Sequence, residues 1–198
     1  MIDAYAVTRQ LEQALCAYTG APHAVCVNSG SNAIFLALRL LNWGGPAEIP
    51  KRTYVSVAQQ IKLAGYQLRF RDEEWIGAYQ IRPTPVWDCA RRFHAGMYAP
   101  GQYQALSFAS SKILGIEQGG CLLLDDEVGA NMLRKMRFDG RTEGVDPRVD
   151  EFISPGYHMI MLPSIAAQLL LKLSFLPRVN ADLGWYDYPD LSEKEAFK

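Results

Sequence analysis

The chain is predicted to be an α/β protein built on a mostly parallel sheet with helices on both faces. Two observations carry this prediction. Short apolar runs of strand length alternate with longer amphipathic segments of helix length, and small residues, glycines or prolines punctuate nearly every junction. No internal repeat or low-complexity linker interrupts the pattern. The 198 residues therefore suit one domain over 1–198, with a mostly irregular tail from about residue 180.

Taken in order, Thr8 suits the cap of a first helix that places Leu11, Ala14, Leu15 and Tyr18 on one face and ends at Gly20. Ala24 to Val27 reads as a short buried strand. Asn28-Ser29-Gly30-Ser31 makes a tight turn into a helix from about Asn32 to Leu41, closed by Gly44-Gly45. Ala47 to Ile49 is a second strand. A third helix, roughly Ser56 to Ala64, turns Val57, Ile61 and Leu63 inward, and Tyr66 to Arg71 alternates as a strand. Residues 72–85 are irregular, with one short strand near Tyr79 to Ile81. Val86 to Cys89 is a strand carrying Asp88. Ala105 to Phe108 and Cys121 to Leu124 are strands on either side of a loop containing Lys112. Asp126 caps a helix that ends at Gly140, residues 141–154 are loop-like, and Pro163 opens a helix to about Phe175.

Composition removes several classes of function. Hydrophobic residues make up 49% of the chain, enough for a sizeable core, and a formal charge of -1 offers no electrostatic basis for binding nucleic acid or an anionic membrane. Cys16, Cys26, Cys89 and Cys121 are scattered without a C-x-x-C pair, and His23, His94 and His158 are equally dispersed. Reduced core thiols and no metal site are expected. The opening MIDAYAVTRQLEQAL lacks the features of a signal peptide. The longest apolar run, Ala166 to Phe175, is broken by Gln168 and Lys172 and is too short to span a bilayer. A cytoplasmic location is expected.

Four groups with chemical potential fall at predicted strand ends, where ligands bind in such sheets. The turn Asn28 to Asn32 would aim backbone N–H groups and a helix dipole at one spot, suiting a phosphate, although strand-to-helix glycine turns are common. Asp88 either caps a turn or pairs with a protonated ring nitrogen. Tyr54 either packs or stacks on a flat ring. Ser107 precedes Lys112, which is either a solvated loop charge or an amine whose burial favours the neutral, nucleophilic form. A phosphate cradle, a stacking face, a carboxylate and an amine together form the set that pyridoxal 5'-phosphate requires.

The same stretches resemble the DegT/DnrJ/EryC1/StrS family of sugar aminotransferases, which have the type I pyridoxal-phosphate fold. Ser29-Gly30-Ser31-Asn32-Ala33 resembles the family's S-G-T-x-A, and Pro50 to Ser56 its P-x-x-T-(aromatic)-V-(S/A) run. Trp87-Asp88-Cys89-Ala90-Arg91 is similar to its E-D-x-A-Q. Ser107-Phe108, Lys112 and Gly119-Gly120 match its S-F-x-x-x-K…G-G at the same spacing, the most specific of these motifs. Gly156-Tyr157-His158 and Ala166-Ala167-Gln168-Leu169 echo its later region. The resemblance runs from about Leu11 to Leu173.

What the resemblance implies is the large domain of a type I pyridoxal-phosphate transferase. In that domain Lys112 is the Schiff-base lysine and proton shuttle. Asp88 holds the pyridine nitrogen and Tyr54 stacks on the ring, while Gly30, Ser31, Asn32 and Ser107 bind the phosphate. The implied reaction moves an amino group from a glutamate-like donor to a keto sugar carried on a nucleotide, in a homodimer with shared sites. Three family positions are altered: the glutamine near the cofactor is Arg91, the glutamate before the glycine pair is Gln118, and the asparagine crossing from the partner subunit is His158. The segment between Arg71 and Val86 is shorter than the family's, and the family's C-terminal small domain has no counterpart. A non-catalytic relative acting as a binding or interaction module is the alternative. A sugar dehydratase on the same scaffold is disfavoured, because the variants that resemble this family replace the lysine with histidine. An exposed apolar helix around Ile165, Leu169, Leu170 and Leu173 is expected to form the dimer contact.

Overall fold

The computed structural model describes residues 3–198, so the first two residues of the segment judged not to be a signal peptide lie outside it. In chain order it contains α1 (Ala6–Thr19), β1 (His23–Val27), α2 (Gly30–Leu41), β2 (Pro46–Pro50), α3 (Val55–Leu63), β3 (Gln67–Arg71), β4 (Tyr79–Gln80), β5 (Val86–Asp88), β6 (Tyr103–Ser107), β7 (Gly120–Leu124), α4 (Glu127–Met136) and α5 (Pro163–Ser174). Two short 3-10 turns, Leu191–Glu193 and Glu195–Phe197, lie in the tail.

The sheet is mixed, which corrects the expectation of a mostly parallel one. Five strands run in the order β1-β7-β6-β5-β4, and only the β5–β6 pair among them is parallel. Parallel neighbours need a crossover, usually helical, whereas a chain that turns straight back pairs antiparallel. The 108–119 loop forms no helix, so β7 returns antiparallel to β6 and then pairs antiparallel with β1. The five-residue turn 81–85, with Pro83 and Pro85, likewise folds β5 back against β4. β2 and β3 form a separate parallel pair, tied to the larger sheet by reciprocal Glu48–Arg82 backbone bonds of 2.8 and 3.0 Å.

Helices do cover both faces, and strand alternation shows why. Val25, Val27, Ala105, Leu122 and Leu124 point into one core with α2, α3 and α4. Ala24, Cys26, Leu106, Cys121 and Leu123, the intervening residues, point into a second core with α1 and α5. All four cysteines are free. The outer edge of β1 is closed by side chains and, at its end, by a backbone bridge: Cys26 N–H donates to Glu12 Oε1 at 2.8 Å, the buried Arg137 guanidinium donates to Cys26 O and Glu12, and Val27 bridges Ile160 while Asn28 N–H donates to Met159 O at 3.0 Å. An edge so satisfied cannot template a further strand.

Several local expectations shift. The first helix starts two residues before Thr8 because Asp3 accepts the Tyr5 N–H, which leaves Thr8 buried inside it rather than capping. The second closes at Asn42, which adopts the left-handed conformation, ahead of Gly44. Leu63 is exposed: Val57, Ala58 and Ile61 form the inner face of α3, and a residue two positions beyond Ile61 lies on the far side. The helix after Asp126, whose carboxylate accepts Gly129 N–H at 2.9 Å, stops at Met136 rather than Gly140. Ile165, Leu169 and Leu173 are buried with α1 residues Leu11 and Leu15, so they form core, not a free apolar face.

Candidate active site

Strands β1, β5 and β6 run the same way, and their carboxyl ends meet at one edge. There they surround a cavity of about 370 Å³, within the range of small-molecule sites. Gly30, Ser31, Tyr54, Asp88, Arg91, Ser107 and Lys112 all line it. Seven of the nine residues singled out from sequence, distant along the chain, are thus gathered by the sheet edge.

The cradle at the start of α2 is built on close backbone approach. Ser29 caps the helix by accepting Asn32 N–H at 3.1 Å, and Ser31 Oγ lies 2.5 Å from Ser56 Oγ, joining the first turns of α2 and α3. A Cβ on Gly30 would come within 2.8 Å of Ser107 Cβ, so glycine lets this turn approach the end of β6. Gly30 and Ser31, whose N–H groups open α2 without intrahelical acceptors, line the cavity together with Ser56 and Ser107. Asn32 lies outside the lining: its N–H is taken by Ser29 and its side chain donates to Asn28 Oδ1 at 2.7 Å.

Asp88 closes β5 and is buried. Its oxygens accept Tyr79 Oη–H at 2.8 Å and Ala90 N–H at 2.9 Å, and Tyr79 Oη lies 2.5 Å from Thr53 Oγ1. Both direct partners are neutral. Burial therefore dominates and raises the Asp88 carboxyl above the usual aspartate range, and it raises the Tyr79 phenol well above its own. A buried carboxylate supported only by neutral donors is a natural seat for a ligand cation.

Lys112 sits in the loop between β6 and β7, half-buried, with Nζ 3.4 Å from Tyr188 Oη. Arg91 is held by the tail: Nε donates to Tyr188 Oη at 2.9 Å, Nη1 to Gly184 O at 2.6 Å, and Nη2 to both Asp187 oxygens at 2.6 and 2.7 Å. That pairing holds Asp187 below the usual carboxylate range. His158 is exposed, 3.1 Å from Asp139, and is not part of the cavity in its own chain. Sequence reasoning missed Ser56, Trp75, Tyr79, Asp187 and Tyr188. The last two lie in a tail read as irregular, where the aromatic cluster Trp185-Tyr186-Tyr188 was the only local signal. Among the described residues no helix is long and apolar enough to cross a membrane, and no group of metal-ligating side chains forms.

This architecture is the fold of solved aminotransferases. AtS13 from Actinomadura melliaura superposes with a TM-score of 0.78 at 20% identity, over 86% of this chain and 60% of that one. The sugar aminotransferase CalS13 from Micromonospora echinospora gives 0.72 at 18%, over 85% and 60%, and DesI, solved in the presence of its TDP-sugar product, gives 0.67 at 18%, over 87% and 54%. The chain thus spans a little over half the length of these structures. Within that class, residues 1–86 match the model of the DegT/DnrJ/EryC1/StrS aminotransferase family. The matched stretch holds Gly30, Ser31 and Tyr54. Asp88 and Lys112 lie beyond it, joined to it by the fold.

Proposed function

We propose that this chain is a pyridoxal-phosphate-dependent sugar aminotransferase, moving an amino group from a glutamate-like donor to a keto sugar on a nucleotide. The observation that carries the reading is one cavity lined together by Lys112, the buried Asp88 and the serines Ser31, Ser56 and Ser107. The residues fit the cofactor. Asp88 hydrogen-bonds only neutral groups, which leaves its carboxylate for a pyridinium, and the α2 start with the Ser31, Ser56 and Ser107 hydroxyls beside it suits a phosphate. The family and the TDP-sugar product of DesI support the class of reaction and substrate.

When bound, pyridoxal phosphate provides an aldehyde and a protonated ring that stores the electron pair of a deprotonated substrate carbon. Lys112 Nζ is the amine that would hold the cofactor's aldehyde group, and it would hold and return the proton at the reacting carbon. Asp88 would keep the ring nitrogen protonated, and Tyr79 and Ala90 fix the orientation of its carboxylate. The α2 start would hold the phosphate, and Tyr54, more than half exposed at the rim, would supply a stacking face for the ring. His158 would reach the site of a second copy in a homodimer.

A binding role without turnover is the second reading, favoured by the contact of Tyr188 with Lys112. Pyridoxal phosphate added to the protein should gain the absorbance of a lysine-captured aldehyde, and borohydride should fix it to the peptide holding Lys112. Glutamate should then convert the bound cofactor to its amine form. Label spread over surface lysines would remove the cofactor reading, and capture without conversion by glutamate would leave the binding role.

A further inference from the structure

We propose that residues 184–189 form a strap whose Tyr188 occupies the aromatic slot of the cavity and must leave it before a planar ligand reaches Lys112. The inference rests on the cofactor site proposed above. Tyr188 is held like a small aromatic ligand. The Arg91 guanidinium lies 4.4 Å from its ring centroid on one side, and Trp75 stacks on it at 6.2 Å and 18° on another. Its hydroxyl receives hydrogen bonds from Arg91 Nε and Lys112 Nζ. Two cationic groups thus converge on a neutral phenol, where an anionic or carbonyl oxygen would be a stronger acceptor.

The strap is pinned at both ends and held in the middle chiefly by Arg91, with Trp75 and Lys112 on Tyr188 and the Arg52 guanidinium 5.6 Å from the Trp185 ring centroid. On one side Leu183 exchanges backbone bonds of 2.9 Å with Arg91 and Gly77. On the other, Leu191 is buried, donates its N–H to Lys51 O at 2.8 Å, and follows Asp190, which pairs with Lys51 at 3.3 Å. Between these anchors every donor group of Arg91 goes to the strap, to Gly184, Asp187 and Tyr188, while Tyr186 and Asp187 are exposed. Swinging the Tyr188 ring out breaks its contacts with Arg91, Trp75 and Lys112, and both anchors stay in place. A closed strap lowers ligand affinity by the fraction of molecules that are open.

The test reads access to Lys112 directly. A brief pulse of an amine-acylating reagent, followed by peptide mass spectrometry, gives the Lys112 labelling rate relative to the other lysines. Tyr188→Ala should raise it about tenfold, and Asp187→Asn, which keeps the ring but removes the ion pair with Arg91, about threefold, since an open fraction scales apparent access in proportion. Tyr188→Phe, which still fills the slot, should stay within about twofold of wild type. The rate of pyridoxal phosphate capture should rise in the same order. Unchanged Lys112 labelling in both Tyr188→Ala and Asp187→Asn overturns the strap, even if the cofactor is captured normally. Faster labelling without capture of pyridoxal phosphate by any form upholds the strap and removes the cofactor reading instead.

Discussion

Replacing Gly120 with alanine probes the backbone joint on which the site is built. Gly120 opens β7 opposite Val27 of β1 and Ser107 of β6. A Cβ there would lie 2.3 Å from Ser29 C and 2.4 Å from both Gly30 N and Ser29 O. The obstructing atoms are all main chain, so no side chain can swing aside, and either β7 or the 28–31 turn must move. Overpacking costs about 1–3 kcal/mol, and a backbone obstruction belongs at about 3. For a domain of this size each kcal/mol lowers the melting temperature by roughly 2–4 °C, so Gly120→Ala should melt about 6–12 °C below wild type. Gly96→Ala is the control. Gly96 has φ +69° and no atom near its missing Cβ, so only left-handed backbone strain applies, about 1 kcal/mol or roughly 2–4 °C. Thermal melts of the three proteins, with pyridoxal phosphate capture measured below the transition, would separate the effects. Capture should weaken in Gly120→Ala and stay normal in Gly96→Ala. If the two variants melt within about 2 °C of each other, the close packing of Gly120 on the turn is wrong.

Two further predictions follow from the site and its surroundings. Burial raises the Asp88 carboxyl, so the folded protein holds that proton at pH values where the unfolded chain, near pH 3.9, has released it. The Asp88 contribution to stability is therefore fully present below about pH 4 and is lost as pH rises through the raised folded value. Denaturation midpoints across this range should fall more steeply in wild type than in Asp88→Asn, and parallel curves would refute the burial argument. For assembly, we predict a homodimer in which His158 reaches the partner's cavity. The motivation is its exposure outside the cavity of its own chain, with the exposed apolar residues Val149, Phe152, Ile153 and Leu162 on either side of it in sequence. Sedimentation showing only monomer at micromolar concentration would end this prediction.

Local patterning was enough to place most elements and to single out seven of the residues that line the cavity. The alternation of short apolar runs with amphipathic ones located the strands and helices because burial in a two-sided sheet demands that pattern. Glycine and serine at a strand-to-helix turn, an acid at a strand end and a lysine between paired strands are visible in sequence because each is set by its place at the end of a strand. Strand direction was not visible in the same way. An apolar strand buried on both faces reads alike in either direction, and only the route of the 81–85 and 108–119 connections made the sheet mixed. The inward burial of Ile165, Leu169 and Leu173 depended on α1 lying against α5, a contact between segments about 150 residues apart. The tail shows the limit most plainly. Tyr188 and Asp187 carry no periodic or motif signal, and their place at Lys112 and Arg91 comes from Leu183 and Leu191 being pinned to distant strands and loops. Periodicity and motif spacing record what a residue needs from its chain neighbours, whereas such long-range contacts exist only once the sheet has gathered its edge.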